Sequence, residues 1–153
     1  MKYTIVPNKD SGICFKDLPV GEWFITELNT LYMKIYDILS DDTVEGVCNI
    51  INPIGCLSYK SEDQKVKKCK VELYINETLG EENERLAISI QTLRVGDVFL
   101  RDNDYFIVTN FKCKENKVYC VNLRTGALSV YSFNTYVICM PIDKIELRAS
   151  SIF

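Results

Sequence analysis

The chain has 153 residues, of which 47% are apolar and 25% are charged, and its formal net charge at pH 7 is −3. These proportions predict a globular protein with a packed core and exclude a disordered chain. Histidine is absent, which excludes a serine or cysteine nucleophile that depends on a histidine base.

The opening segment "MKYTIVPNKD" has none of the apolar stretch that a signal peptide needs. Apolar runs elsewhere fall short of the roughly 18 residues of a membrane-spanning helix. We therefore expect a cytoplasmic protein with no membrane partner.

Seven cysteines are spread along the chain. Their number is odd and they form no Cys-x-x-Cys pair, which argues against a disulfide framework and against a thiolate zinc site. We expect free, mostly buried thiols, with neither a metal nor a cofactor.

The first predicted strands surround "LPVGEWFI" at residues 18–25. Leucine and valine two residues apart share one face, and the glycine permits a tight turn before the aromatic residues of the next strand. After the polar break "TELNT" comes "LYMKIYDI", which reads as a second strand. Apolar residues within 25–39 also recur at helical spacing, so a helix is the alternative to this hairpin.

Further along, "GVCNIINPIGCLSY" at residues 46–59 reads as two strands around a glycine-containing turn. The acidic residues just before it, Asp41, Asp42 and Glu45, favour a turn over a metal site. A closing strand follows at residues 68–75. The acidic segment "GEENERLAISI" at residues 80–90 is a candidate short helix.

The second half of the chain repeats this order. "LRVGDVFL" at residues 93–100 corresponds to residues 18–25, and its following "RDND" suits a turn and breaks a helix, which favours the hairpin at 25–39. "VYCVNLRTGALSVY" aligns with residues 46–59, placing Asn122 over Asn49 and Gly126 over Gly55.

We therefore predict a mainly β fold, built as a tandem pair of small antiparallel five-stranded meander or barrel units with at most one or two short helices. Residues 1–76 form the first unit, 77–85 a linker or short helix, and 86–153 the second unit, a divergent copy of the first.

"FKDLPVGEWFI", "LYMKI" and "GCLSY" resemble small uncharacterised phage-encoded β-barrel proteins, here duplicated. Those proteins combine Phe-x-x-Leu-x-x-Gly-x-x-Phe with a Tyr-x-Lys strand and a glycine-containing hairpin. The second copy departs from the pattern, because "YFIV" replaces "YMKI". The resemblance implies a phage or prophage accessory protein that acts in the cytoplasm of the bacterial host cell, among those that antagonise host defence.

Three functions are compatible with these patterns. The first is a non-enzymatic binding protein that binds a host protein or sequesters a small nucleotide signal. The tyrosines and the tryptophan are suited to such binding. The second is nucleic-acid binding through the lysine-rich run "YKSEDQKVKKCK", although Glu62 and Asp63 interrupt it. The third and least favoured is an enzyme that uses carboxylate or lysine chemistry.

The candidate ligand- or partner-binding residues are Trp23, Lys34, Tyr59, Arg101 and Arg124. The tryptophan stands where the second copy has a valine, and the lysine interrupts an apolar strand. The tyrosine lies beside the lysine-rich run. The arginines flank turns, where a planar guanidinium can meet carboxylate or phosphate. No catalytic residue is predicted.

Overall fold

The computed structural model describes residues 2–6, 12–26, 28, 30–36, 45–49, 55–58, 60–75, 87–112, 116–140 and 145–151. Its strands are β1 (Lys2–Val6), β2 (Ile13–Cys14), β3 (Trp23–Ile25), β4 (Leu31–Tyr36), β5 (Glu45–Asn49), β6 (Leu57–Ser58), β7 (Lys65–Ile75), β8 (Ile88–Ser89), β9 (Val98–Arg101), β10 (Asp104–Lys112), β11 (Lys117–Asn122), β12 (Leu128–Ser132), β13 (Tyr136–Met140) and β14 (Ile145–Ser151). Short 3-10 turns, the Phe15 turn (Phe15–Asp17) and the Ile90 turn (Ile90–Thr92), precede β3 and β9. The mainly β prediction is confirmed.

The two halves of the chain have the same strand order. In the first sheet the order is β6-β5-β4-β3-β7, with β2 also paired to β7, and in the second it is β12-β11-β10-β9-β13-β8. The register agrees as well, because Cys48 pairs with Leu57 as Val121 pairs with Leu128. The alignment of Asn49 with Asn122 therefore holds in three dimensions.

The segment predicted as either a hairpin or a helix is a hairpin. Trp23 lies opposite Met33 and Ile25 opposite Leu31, as Val98 lies opposite Ile107 in the second copy. The helix alternative is wrong as far as residue 36, and residues 37–39 lie outside the described part. Most of the helix candidate at 80–90 also lies outside it, and its end forms β8 and the start of the Ile90 turn.

The last strand of the chain belongs to the first sheet. β14 pairs antiparallel with β7 and parallel with β1, although its residues fall within the range predicted for the second unit. Ile145 and Leu147 on β14 are buried. The first sheet is therefore built from both ends of the chain.

Apolar side chains form three clusters because alternate residues of a strand point to opposite faces. The inter-sheet core joins both sheets and contains Ile25, Met33, Val98 and Ile107. Each outer face carries a smaller core beneath its 3-10 turn. The members of the first outer core are Phe15, Leu18, Phe24 and Val66, and those of the second are Ile90, Phe99, Phe106, Val108, Cys120 and Val137.

The two copies meet at paired glycines. A Cβ atom on Gly126 would lie 2.7 Å from Cα of Gly21, and one on Gly55 would lie 2.8 Å from the backbone nitrogen of Gly96. All four glycines have φ between 73° and 93°. The repeated Leu-x-Val-Gly turn of each copy therefore contacts the hairpin glycine of the other copy, at a distance that only glycine allows.

Candidate binding cleft between the two sheets

A cavity of about 230 Å³ opens where the two sheets face each other. The first sheet contributes Trp23, Val71, Leu73 and Leu147, and the second contributes Asn103, Asp104, Tyr105, Leu123 and Arg124. Its walls are mostly aliphatic and aromatic, and its charged groups come from the second sheet. We call this cavity the cleft.

Trp23 points into the cleft because β3 alternates. Its neighbour Phe24 lies in the first outer core, so the indole projects to the inter-sheet side, where it packs against the core. Its counterpart Val98 is completely buried, whereas Trp23 is partly exposed. The larger side chain thus forms a wall that solvent and a ligand can reach.

Arg124 lies at the mouth of the cleft and is held by Asp104. Its Nε and Nη2 atoms donate to the two carboxylate oxygens at 2.8 and 3.0 Å. Asn122 supports the pair, because its amide donates to Asp104 at 3.1 Å and its Oδ1 accepts from the backbone nitrogen of Arg124 at 2.8 Å. The guanidinium is still 70% exposed, against 23% for the carboxylate.

These hydrogen bonds stabilise the charged forms of both partners. The hydrogen bond from Arg124, followed by the one from Asn122, holds the pKa of the Asp104 carboxyl below its ordinary value. The same contact raises the pKa of Arg124. The mouth of the cleft therefore presents a fixed ion pair with an open guanidinium edge at neutral pH.

A shallower groove of about 460 Å³ continues from the cleft past the same indole and guanidinium. Its rim includes Glu22 and Lys70. Both rim charges are paired, Glu22 with Lys68 at 3.3 Å and Lys70 with Glu72 at 3.7 Å. The groove is mostly polar, so the apolar cleft is bordered by polar groups of balanced charge, which is the usual layout of a protein interface.

Two predicted site residues lie together in the cleft and two lie elsewhere. Trp23 and Arg124 line it from opposite sheets. Arg101 donates to the carbonyl of Tyr136 at 3.0 Å and lies 5.5 Å from the ring centroid of Tyr131, on the outer face of the second sheet. Tyr59 lies outside the described residues.

Lys34 faces the interior. It is 0% exposed, and its Nζ atom donates to the carbonyl oxygens of Phe15, at 2.8 Å, and of Leu18. The ammonium also lies 4.4 Å from the centroid of the Phe15 ring. In this position it stabilises the Phe15 turn, and it is not among the described residues that line the cleft.

Several cleft residues were missed from the sequence. Asp104 belongs to "RDND", whose composition predicts a turn. Its partner Arg124 lies 20 residues away in the sequence, so no local pattern indicates the pair. Leu147 was missed because nothing in the repeat indicates that β14 joins the first sheet. The sequence signal for Asp104 is the excess of polar residues in "RDND", the turn of the second copy.

The described cysteines Cys14, Cys56, Cys69, Cys120 and Cys139 are free thiols. Cys69 and Cys120 are buried, which raises their pKa to about 11 and about 12, respectively. The prediction of burial is confirmed for these two, whereas the other three are only partly buried. Cys48 and Cys113 have no described side chain.

No protein-family model, curated protein or solved structure matches this chain. Within the described ranges, no cluster of three or more cysteine or acidic side chains is arranged to hold a metal ion. The same part of the chain has no helix with the length and apolar character needed to cross a membrane.

Proposed function

We propose that this protein acts by binding, without turnover, and that the cleft receives an apolar anchor side chain from a protein partner. The observation that carries the proposal is the meeting of Trp23 and Arg124, from different sheets, at a cavity with apolar walls and a polar mouth. Interface hot spots are enriched in tryptophan and arginine and centre on such pockets.

The size of the cleft favours a side chain over a free small molecule. Its volume is about 230 Å³, whereas pockets for small molecules usually measure roughly 300–1,000 Å³. A single aromatic or branched aliphatic side chain can enter between Trp23, Leu73 and Leu147. The adjoining groove then supplies the surface on which the rest of the partner rests.

The charge of the cleft also favours a protein. Asp104 already neutralises Arg124 through two hydrogen bonds, so a phosphate would have to compete with this carboxylate. A backbone carbonyl of a partner can instead accept from the exposed edge of the guanidinium without breaking the pair. Such a neutral contact gives orientation to the anchor side chain.

We place this binding activity in a phage or prophage accessory protein that antagonises host defence by occupying a host protein. The support for this context is the resemblance of "FKDLPVGEWFI" and "LYMKI" to small phage-encoded proteins. The duplicated architecture is also suited to the role, because its cleft is formed by elements of both copies.

The test begins with capture of partners from a bacterial lysate and their identification by mass spectrometry. Each purified candidate is then titrated against the wild type, Trp23→Val and Arg124→Ala by calorimetry. Trp23 is the single tryptophan, so its fluorescence reports directly on the cleft. We expect each substitution to weaken binding by at least about tenfold, in the range of a hot-spot residue.

Arg148→Ala is the matched control, since Arg148 is also a half-exposed arginine in an ion pair, with Glu146 at 3.1 Å. This variant should bind as the wild type does. Equal affinity of Trp23→Val, Arg124→Ala and the wild type would contradict the cleft as the binding site. Consumption of a substrate by the purified protein would contradict a purely binding role.

A further inference from the structure

A second cavity, of about 400 Å³, lies at the first sheet, away from the cleft. It is lined by Thr26, Leu28, Tyr32, Lys60, Gln64 and Lys65. We call it the lysine pocket. Tyr32 packs on the first outer core, whereas Trp23 packs on the inter-sheet core, so the lysine pocket and the cleft belong to opposite faces of the sheet.

The lysine pocket carries two positive charges and its described lining includes no carboxylate. Within the described part of the chain, neither Lys60 nor Lys65 forms an ion pair. Lys68 and Lys70 differ in this respect, because each pairs with a glutamate. Among the described residues, the lining of the pocket therefore presents positive charge without a carboxylate partner, which favours an anion.

An aromatic platform forms one wall of the lysine pocket. The ring of Tyr32 stacks on Phe24 with a centroid distance of 5.3 Å and an interplanar angle of 18°, and Phe24 is fully buried. The ammonium of Lys60 lies 4.1 Å from the Tyr32 centroid. Leu28 adds an apolar side chain that is 88% exposed. Leu28 offers apolar surface directly, whereas the ring face of Tyr32 that Phe24 leaves free is covered by this ammonium and opens to a planar ligand when Lys60 moves away.

In the second copy the corresponding space is filled. The strand registers place Tyr32 where the second copy has Phe106. Continued one residue beyond β3 and two residues beyond β6, they place Thr26 and Lys60 where the second copy has Arg101 and Tyr131. Tyr131 packs edge-on against Phe106, with centroids 5.7 Å apart. The guanidinium of Arg101 covers Tyr131 in turn. The first copy thus replaces a filled aromatic layer with an open pocket that bears an ammonium.

We propose that the lysine pocket binds a nucleotide phosphate: Lys60 moves from the Tyr32 ring to contact the phosphate together with Lys65, and the base rests on Tyr32 and Leu28. Ammonium groups are established partners of phosphate, and bases stack on aromatic side chains whatever their sequence. A free nucleotide and a single strand of nucleic acid share this chemistry. The proposal is independent of the partner assigned to the cleft.

In the first experiment, AMP, inorganic phosphate and an eight-nucleotide single-stranded oligonucleotide are each titrated into the full chain. Binding is measured by calorimetry. The Lys60→Ala/Lys65→Ala variant is expected to lose about tenfold or more in affinity, because it loses two charge-assisted contacts. The control variant Lys16→Ala/Lys117→Ala removes the same charge at exposed sites outside the pocket and should bind as the wild type does.

The three probes separate the sources of the phosphate. A free nucleotide is indicated if AMP binds at least as tightly as the oligonucleotide. A strand is indicated if the oligonucleotide binds tighter and its affinity falls steeply with salt. Failure of both AMP and the oligonucleotide to bind at millimolar concentration overturns the proposal, as does equal affinity of the pocket variant and the control.

A second variant fills the pocket with the residues of the second copy, Thr26→Arg/Lys60→Tyr. This exchange should abolish nucleotide binding although the pocket keeps two positive charges, those of Lys65 and the introduced arginine, and gains aromatic surface. Trp23→Val should leave nucleotide binding unchanged, because Trp23 lines only the cleft and its groove. Loss of nucleotide binding in Trp23→Val, with retention in the filled variant, would assign the ligand to the cleft instead.

Discussion

Lys34 and Val108 occupy the same place in the two copies and stabilise it by opposite means. The carbonyl of each accepts from the turn glycine of its own copy, Gly21 at 2.8 Å and Gly96 at 2.9 Å. Val108 fills the second outer core by apolar contact, whereas Lys34 bonds the carbonyls of the Phe15 turn. The comparison indicates that the backbone frame is shared and that each outer core is free to diverge on it.

The backbone arrangement that the two copies share should be destabilised most by a substitution at the glycine contacts. Gly126→Ala places a Cβ atom against the backbone of Gly21 and of Lys34 and requires a φ of 73° from alanine. We expect a loss of about 3 to 5 kcal/mol in the free energy of unfolding. Urea denaturation measures it.

Ala127→Gly is the control for this change, because it alters an exposed neighbouring position in the opposite direction. Its effect should stay within about 1 kcal/mol. Equal destabilisation by the two substitutions would show that the glycine contact between the copies has no special importance.

The difference between Lys34 and Val108 can be sharpened by truncating both. Lys34→Ala leaves two buried carbonyls without their donor and opens a cavity, so we expect a loss of about 3 kcal/mol. Val108→Ala removes only apolar contacts and should cost about 2 kcal/mol. Lys34→Met tests the donor alone, since it keeps the length of the side chain. A cost for Lys34→Met as small as that of an exposed substitution would assign the role of Lys34 to packing.

Much of this frame could be predicted from the repeat, because strand alternation and turn glycines are local properties of the sequence. The hairpin register and the equivalence of Asn49 with Asn122 followed from them. The burial of Lys34 could not, since it depends on the Phe15 turn folding over the strand. The sequence predicts only part of the cleft lining, namely Trp23 and Arg124. Asp104 and Leu147 also line it, but their positions depend on contacts between residues distant in sequence.

Alkaline pH should weaken the fold through its buried thiols. Burial raises the pKa of Cys69 to about 11 and of Cys120 to about 12, from 9.0. The folded state therefore favours the protonated thiol, and its advantage is complete below pH 9 and is lost as pH rises towards the raised values. Cys120→Val introduces the residue that the first copy has at this position, Val47.

Between pH 8 and pH 10, the free energy of unfolding should fall by about 1 kcal/mol less in Cys120→Val than in the wild type. Parallel denaturation curves at the two pH values measure the difference. Identical pH dependence of the two proteins would mean that the pKa of Cys120 is the same in the folded and unfolded chains, contrary to this account.

The smallest expected effect concerns the ion pair at the cleft, which has no described counterpart in the first copy. The pKa of Asp104 is lowered by Arg124 and Asn122. The stabilisation by this pair is therefore present above the ordinary carboxyl pKa and is lost as pH falls through the lowered value. Arg124→Ala should raise the Asp104 pKa, measured by NMR titration, whereas Arg148→Ala should leave it unchanged.

The pairing of β1 with β14 has a consequence for synthesis on the ribosome. β1 has to wait for β14, the last of the described strands, because β14 separates β1 from β7 in the first sheet. The second sheet, which ends at Met140, has all its strands translated before β14 appears. The copy translated second can therefore complete its sheet first, and the first sheet closes only after β14 has been translated, because its contacts join strands distant in sequence.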